Sequence, residues 1–273
     1  MTETIALQPS RIATTFEALR AESKTAIMPF VTAGFPHMDT SEKIVLALAE
    51  AGANGFEIGI PYSDPLADGP TVQRSSQVSL ENGTKLVDCI DLVRRVRAAG
   101  VSVPMVLMGY YNPLVRYGID RFVADSAAAG VDGFIIPDLP VEECDVLQTA
   151  CQKYQRDLVF MVAPTSTDSV LDGVAAHASG FIYCVSVTGV TGARDTMSKS
   201  LPEYLEHVRS KTNLPLIVGF GVSKPEHITE IGQHADGAII ASALMNYLNA
   251  FPESDQPAQA AHYLCYMRGD VDL

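Results

Sequence analysis

An α/β chain of the single (β/α)8 TIM barrel class, with an N-terminal capping helix and a mobile loop after strand 6, is what three features of this sequence predict. Eight short apolar segments recur along 273 residues, and amphipathic stretches long enough to cross over and return parallel lie between them. The doubly wound sheet is the competing arrangement. Against it, no GxGxxG separates the first strand from its helix and no Walker A run occurs anywhere. A hydrophobic content of 47% over this length suits one large core, so residues 1–273 are read as a single barrel domain.

Residues 10–22 have helix-forming spacing and are placed across the bottom of the barrel. Residues 26–32 form the first strand, which stops at Ala33, Gly34 and Pro36, and Asp39 or Thr40 caps a helix running to Ala51. Further strands are expected at 55–60, 104–110, 133–136, 158–162, 180–185, 216–219 and 237–240. Helical stretches lie at 85–98, 119–129, 141–154, 170–176, 202–211 and 225–233. Glycines in Ala-Gly-Ala or Ala-Gly-Val turns at 51–53, 99–101 and 129–131 fit helix ends leading into strands. Residues 249–257 read as a polar, proline-containing connector, and 258–268 as a final helix.

The net charge of −13, without a cluster of Lys and Arg, argues against nucleic acid and anionic membranes as partners. No basic region followed by an apolar core opens the chain and no apolar run matches a membrane span, so a cytoplasmic location is expected. The five cysteines lack CxxC spacing and suit reduced thiols. The six histidines are dispersed as well, and no metal site is expected.

Chemistry concentrates in GFEIGIPYSDPLADGP, residues 55–70. Glu57 interrupts the apolar run Phe56, Ile58, Ile60, and an ionised carboxylate left unpaired in such a strand is costly. Either it is a catalytic acid, or it is a structural acid paired with backbone N–H groups or a distant base. Asp64 and Asp68 follow in a loop with Pro61, Pro65, Gly69 and Pro70, where aspartates also simply cap turns. In a barrel the functional residues gather where strands end, which brings in Tyr110, Asp138 and Tyr183; Asp138 is open between catalytic and structural roles, and the tyrosines between site and core. Near the last two strands, Gly219 and Gly221 permit close backbone approach and Ser242 sits where a short helix can begin. Lys224 is the one Lys or Arg between 216 and 249, so a phosphate there would rest mainly on amides; ordinary tight turns are the alternative. SVTGVTGARDTMSKS, residues 186–200, is too polar for a helix and too long for a routine turn, and reads as a lid hinged at Gly189 and Gly192 or as a plain insertion. Two acids at the mouth beside a phosphate cradle point to acid/base chemistry on a small phosphorylated metabolite. The lysines at strand starts, helices and loops do not suit a Schiff-base aldolase.

The 55–70 stretch resembles the signature around the catalytic acids of the tryptophan synthase α subunit family. PFVTAGFP (29–36), YYNP (110–113), PDLP (137–140), SVTGVTGAR (186–194) and GFGVS (219–223) resemble further family segments in the expected order. That resemblance implies a lyase of tryptophan biosynthesis, which cleaves indole-3-glycerol phosphate to indole and glyceraldehyde 3-phosphate. It assigns proton transfer to Glu57 and acceptance of the indole N–H to Asp68, with Phe30, Ile135, Tyr183, Thr191 and Phe220 around the substrate. It assigns the phosphate to Gly192, Phe220, Gly221 and Ser242, although the family usually has glycine where this chain has Ala241. It implies no cofactor on this chain, and a β subunit partner in an α2β2 heterotetramer that carries pyridoxal phosphate. A stand-alone lyase releasing free indole and a catalytically silent regulatory barrel are the alternatives.

Overall fold

The computed structural model describes residues 10–185, 200–219 and 221–273. In chain order its elements are α1 (Arg11–Ala21), β1 (Ala26–Thr32), α2 (Met38–Glu50), β2 (Phe56–Gly59), α3 (Pro70–Glu81), α4 (Leu86–Ala98), β3 (Met105–Met108), α5 (Tyr111–Tyr117), α6 (Ile119–Ala129) and β4 (Gly133–Ile135). After a 3-10 turn at Val141–Glu143 come α7 (Asp145–Lys153), β5 (Asp157–Val162), α8 (Asp168–His177), β6 (Ile182–Val185), α9 (Leu201–Arg209), β7 (Leu216–Gly219), α10 (Pro225–Ile231), β8 (Gly237–Ile240), α11 (Ser242–Leu248) and α12 (Gln256–Met267). The strands pair in parallel in sequence order and β8 closes on β1, giving the expected eight-stranded barrel. None of the described helices is long and apolar enough to cross a membrane.

All eight strands fall where the apolar segments put them. Two helices were not anticipated. Gly69 and Pro70 read as a turn, yet they form the cap and first residue of α3, because proline lacks only an N–H that a first helical turn leaves unbonded anyway. α5 likewise begins in the proline-containing YYNP run. The stretch expected as one helix at 141–154 divides at Cys144 into the 3-10 turn and α7, and α12 starts two residues earlier than expected.

Side chains alternate along each strand between two cores. Ile27, Val31, Phe56, Ile58 and Leu107 face the helical shell, whereas Met28, Phe30, Val106, Met108, Ile135, Val159, Tyr183, Ile217 and Ile239 fill the barrel. Ile12 and Phe16 of α1 plug its lower end, with the Phe16 ring 6.2 Å from that of Phe181. Two acids, buried Asp132 and partly buried Asp236, tie this end together. Asp132 accepts from Arg97 Nη2 at 2.5 Å, from the Met105 N–H at 2.7 Å and from Arg11. Asp236 accepts from Arg20 Nε at 2.6 Å, from the Leu216 N–H at 2.8 Å and from Arg209.

Candidate active site

The alternation places Glu57 inside the barrel. Its neighbours Phe56 and Ile58 face the helices, and its partners across the ladder, Phe30 and Val106, face the lumen. Phe30 lies so close over Gly59 that a Cβ there would stand 2.4 Å from the ring, so only glycine lets the ring lie beside the acid's strand. Glu57 is 2% exposed, and its Oε2 has no hydrogen-bond partner. Desolvation, and then the negative charge of Asp68, push its pKa up to about 8. The structural reading of Glu57 calls for backbone N–H donors or a distant base, and Oε2 has neither. A bare buried oxygen is what a group waiting for a ligand presents.

Asp68 ends the turn-rich loop directly before the Gly69 cap of α3. Its N–H reaches Pro65 O at 3.1 Å, and Gln73 Nε2 donates to its carbonyl at 2.8 Å, which fixes the backbone that carries the acid. Burial raises its pKa to about 6, while a hydrogen bond from the Tyr110 hydroxyl pulls the other way. That same hydroxyl accepts the Ala67 N–H at 3.0 Å, and the Tyr110 ring stacks on Tyr62 with centroids 5.0 Å apart. Tyr110 is therefore the hook that holds the Asp68 loop over the mouth.

Tyr183, on the far side of the barrel, is buried, and its phenol pKa is driven well up by desolvation and by the charges of Glu57 and Asp68. Its ring covers Gly219, where a Cβ would sit 2.1 Å from the phenol oxygen. Glu57, Asp68, Tyr110 and Tyr183 thus share one buried polar group, with Phe30 and Ile135 among the apolar side chains of the same lumen. At neutral pH the arrangement holds one carboxyl protonated and the other ionised.

At the same rim, after β7, Gly221 has φ +77°, a conformation that side chains with a Cβ rarely adopt. Ser242 is the first residue of α11. Ala241 before it has φ −121°, so the alanine found where the family usually has glycine is not asked to take a positive φ. Asp138 is exposed and accepts the Tyr111 N–H at 2.9 Å, which makes it a cap for α5. Asp64 is exposed as well, beside the 92%-exposed Leu66. Thr191, Gly192 and Phe220, together with residues 186–199 of the expected lid, lie outside the described residues.

The serines of α3 have a part that the sequence reading missed. Ser75 Oγ lies 2.6 Å from Thr32 Oγ1, and Ser79 Oγ donates to Ala33 O at 2.6 Å, so the helix that follows Asp68 is bonded to the end of β1. The spacing in SSQVS, small hydroxyls one helical turn apart, was the available signal.

Comparison with known proteins yields a consistent set of relatives. A sequence profile of the family described as Tryptophan synthase alpha chain matches residues 16–270. A tryptophan synthase alpha chain of Roseiflexus castenholzii is 51% identical over 260 residues, covering 95% of this chain and 100% of that one. One from Chloroflexus aurantiacus is 52% identical over 255 residues, covering 93% and 96%. Among solved structures, tryptophan synthase subunit alpha from Legionella pneumophila superposes with a TM-score of 0.89 at 32% identity, over 97% of this chain and 99% of that one. A chain of Mycobacterium tuberculosis tryptophan synthase gives 0.87 at 35% identity, over 96% and 99%.

Proposed function

The chain belongs to the tryptophan synthase alpha chain family, and from that premise we propose that Glu57 and Asp68 carry out the family's lyase reaction, cleavage of indole-3-glycerol phosphate to indole and glyceraldehyde 3-phosphate. The observation that carries this assignment is the split between the two buried acids, one retaining its proton to about pH 8 and the other ionising near pH 6. Indole C3 leaves poorly as a carbanion. Protonation of C3 by Glu57 turns the ring into an iminium ion, whose positive charge is eased by ionised Asp68 accepting the ring N–H. The chain hydroxyl then gives up its proton, its oxygen forms the aldehyde carbonyl, and the electrons of the breaking C–C bond return to the ring. The proton taken from the hydroxyl restores Glu57, so the cycle balances. Phe30, Ile135 and Tyr183 cover the ring, with Thr191 and Phe220 completing the pocket.

The phosphate is assigned to backbone N–H groups at Gly192, Gly221 and Ser242. Gly221→Val is expected to weaken binding of glycerol phosphate at least tenfold, because a branched residue is strained at positive φ and its side chain blocks approach to the N–H. Calorimetry on the folded variant checks this; unchanged affinity removes Gly221 from the site.

No cofactor is assigned to this chain, and its workplace is the cytoplasm. Its partner is a β subunit carrying pyridoxal phosphate, joined in an α2β2 heterotetramer that consumes the indole. Asp64, exposed Leu66 and the YYNP segment lie at the mouth, where a docked partner orders the loop that carries Asp68. Adding a tryptophan synthase β subunit should raise indole formation and speed the sedimentation of the chain. If neither changes, the stand-alone lyase is the correct reading. A silent regulatory barrel is disfavoured by the buried, split pair of acids.

A further inference from the structure

Outside the barrel, on the junction between α7 and α8, the fold brings together three side chains with metal-binding chemistry. Cys144 is the residue before α7, Asp145 is its first residue, and His177 is the last residue of α8. One ligand atom from each, a thiol sulfur, a carboxylate oxygen and an imidazole nitrogen, lie within 4.8 Å of one another. Ligands of a tetrahedral zinc ion stand about 3.3–3.8 Å apart, so small side-chain rotations close the group around an ion. We propose that Cys144, Asp145 and His177 form a zinc site that clamps the start of α7 to the end of α8, with a water molecule as the fourth ligand.

The imidazole is already set for this role. His177 Nδ1 lies 2.9 Å from Gly173 O. A carbonyl only accepts, so in the neutral ring Nδ1 holds the hydrogen and Nε2 keeps its lone pair for a metal, the arrangement by which metal-bound histidines are usually oriented. The junction is held before any ion binds. Gln148 Nε2 donates to the His177 carbonyl at 3.0 Å, and the Val141 side chain packs against Gly173, where a Cβ would meet it at 3.2 Å. Asp145 and Glu142 place negative charge beside Cys144. A thiol binds a metal as the thiolate, so the incoming ion displaces a proton and binds more tightly as pH rises. The donor set selects the metal: sulfur and imidazole favour zinc over magnesium or calcium, which prefer all-oxygen shells. Asp145 is exposed and His177 half-buried, which gives the ion an entry path to the buried sulfur.

The test uses the full chain, stripped with chelator and titrated first with cobalt(II) and then with zinc. A near-ultraviolet thiolate-to-cobalt band should appear and be displaced by zinc, and zinc should raise the melting temperature as expected for a ligand of the native state. Cys144→Ser should abolish both the band and the temperature rise. His177→Gln, a change at a half-buried position, should keep the band but weaken cobalt binding by roughly tenfold or more. The proposal is overturned if wild-type protein gives no thiolate band. It is equally overturned if the band survives in Cys144→Ser, which would put the metal on another thiol such as the partly exposed Cys265, or if His177→Gln leaves the affinity unchanged.

Discussion

Glu57→Gln is expected to lower turnover of indole-3-glycerol phosphate by roughly 10²-fold to 10⁴-fold while substrate still binds, since the amide keeps the size of the acid but cannot deliver a proton. The pH profile of the parent enzyme should be bell-shaped. Activity falls below about pH 6 as Asp68 takes up a proton, and above about pH 8 as Glu57 loses its own. The same residue should show in stability with the opposite sign. Because its folded pKa lies above the ordinary value of 4.5, the folded state holds a proton that the unfolded state releases, and stability declines from about pH 4.5 to about pH 8. Glu57→Gln removes that decline, so the variant should melt above the parent at pH 8 and close to it at pH 4. Steady-state cleavage assays with calorimetric melting at both pH values check this. Near-normal turnover would remove Glu57 from the chemistry.

The second large effect lies at the other end of the barrel. Asp132→Ala should cost about 3 kcal/mol of stability, the lower end of the range for breaking one side of a buried ion pair. The 3%-exposed side chain of Asp132 answers the guanidinium of Arg97, which is itself only 13% exposed. Its loss also strands the Met105 N–H at the start of β3. The expectation stays at the lower end because Arg97 keeps its bonds to the carbonyls of Val101, Val103 and Gly130. For a chain of this size the melting temperature should fall by about 5 °C, with turnover of the folded protein unchanged. A fall under about 2 °C would show that the pair is not a stability element.

Why the strands were legible and two helices were not follows from what each kind of element demands. A barrel strand is buried on both faces, so segments such as Met105–Met108 or Leu216–Gly219 stand out as short apolar runs between breakers. α3 carries four buried residues, of which three are serines, so no hydrophobic stripe announces it. Glu57 was conspicuous because an acid in an apolar strand violates the local pattern. Phe30 over Gly59 and Tyr183 over Gly219 were not, because a glycine's reason for being glycine lies on another strand. The hook from Tyr110 to Ala67 depends on how a loop folds back, and the meeting of Cys144 with His177 on how two helices pack. Neither has a periodic signature.

Closure of the barrel has a further consequence, one of timing. β1 pairs with β2 on one side, but on the other it pairs with β8, Ala26 facing Gly237 near the far end of the chain. α2 then packs on α12, the last helix. Joining segments so distant in sequence carries a large loop-closure cost, and contacts of this kind form late. During synthesis β1 must wait with one edge unpaired until β8 has left the ribosome. An unpaired edge invites association with other chains. The growing polypeptide is therefore most exposed to aggregation just before β8 emerges, and truncation before Gly237 should trap it in that state.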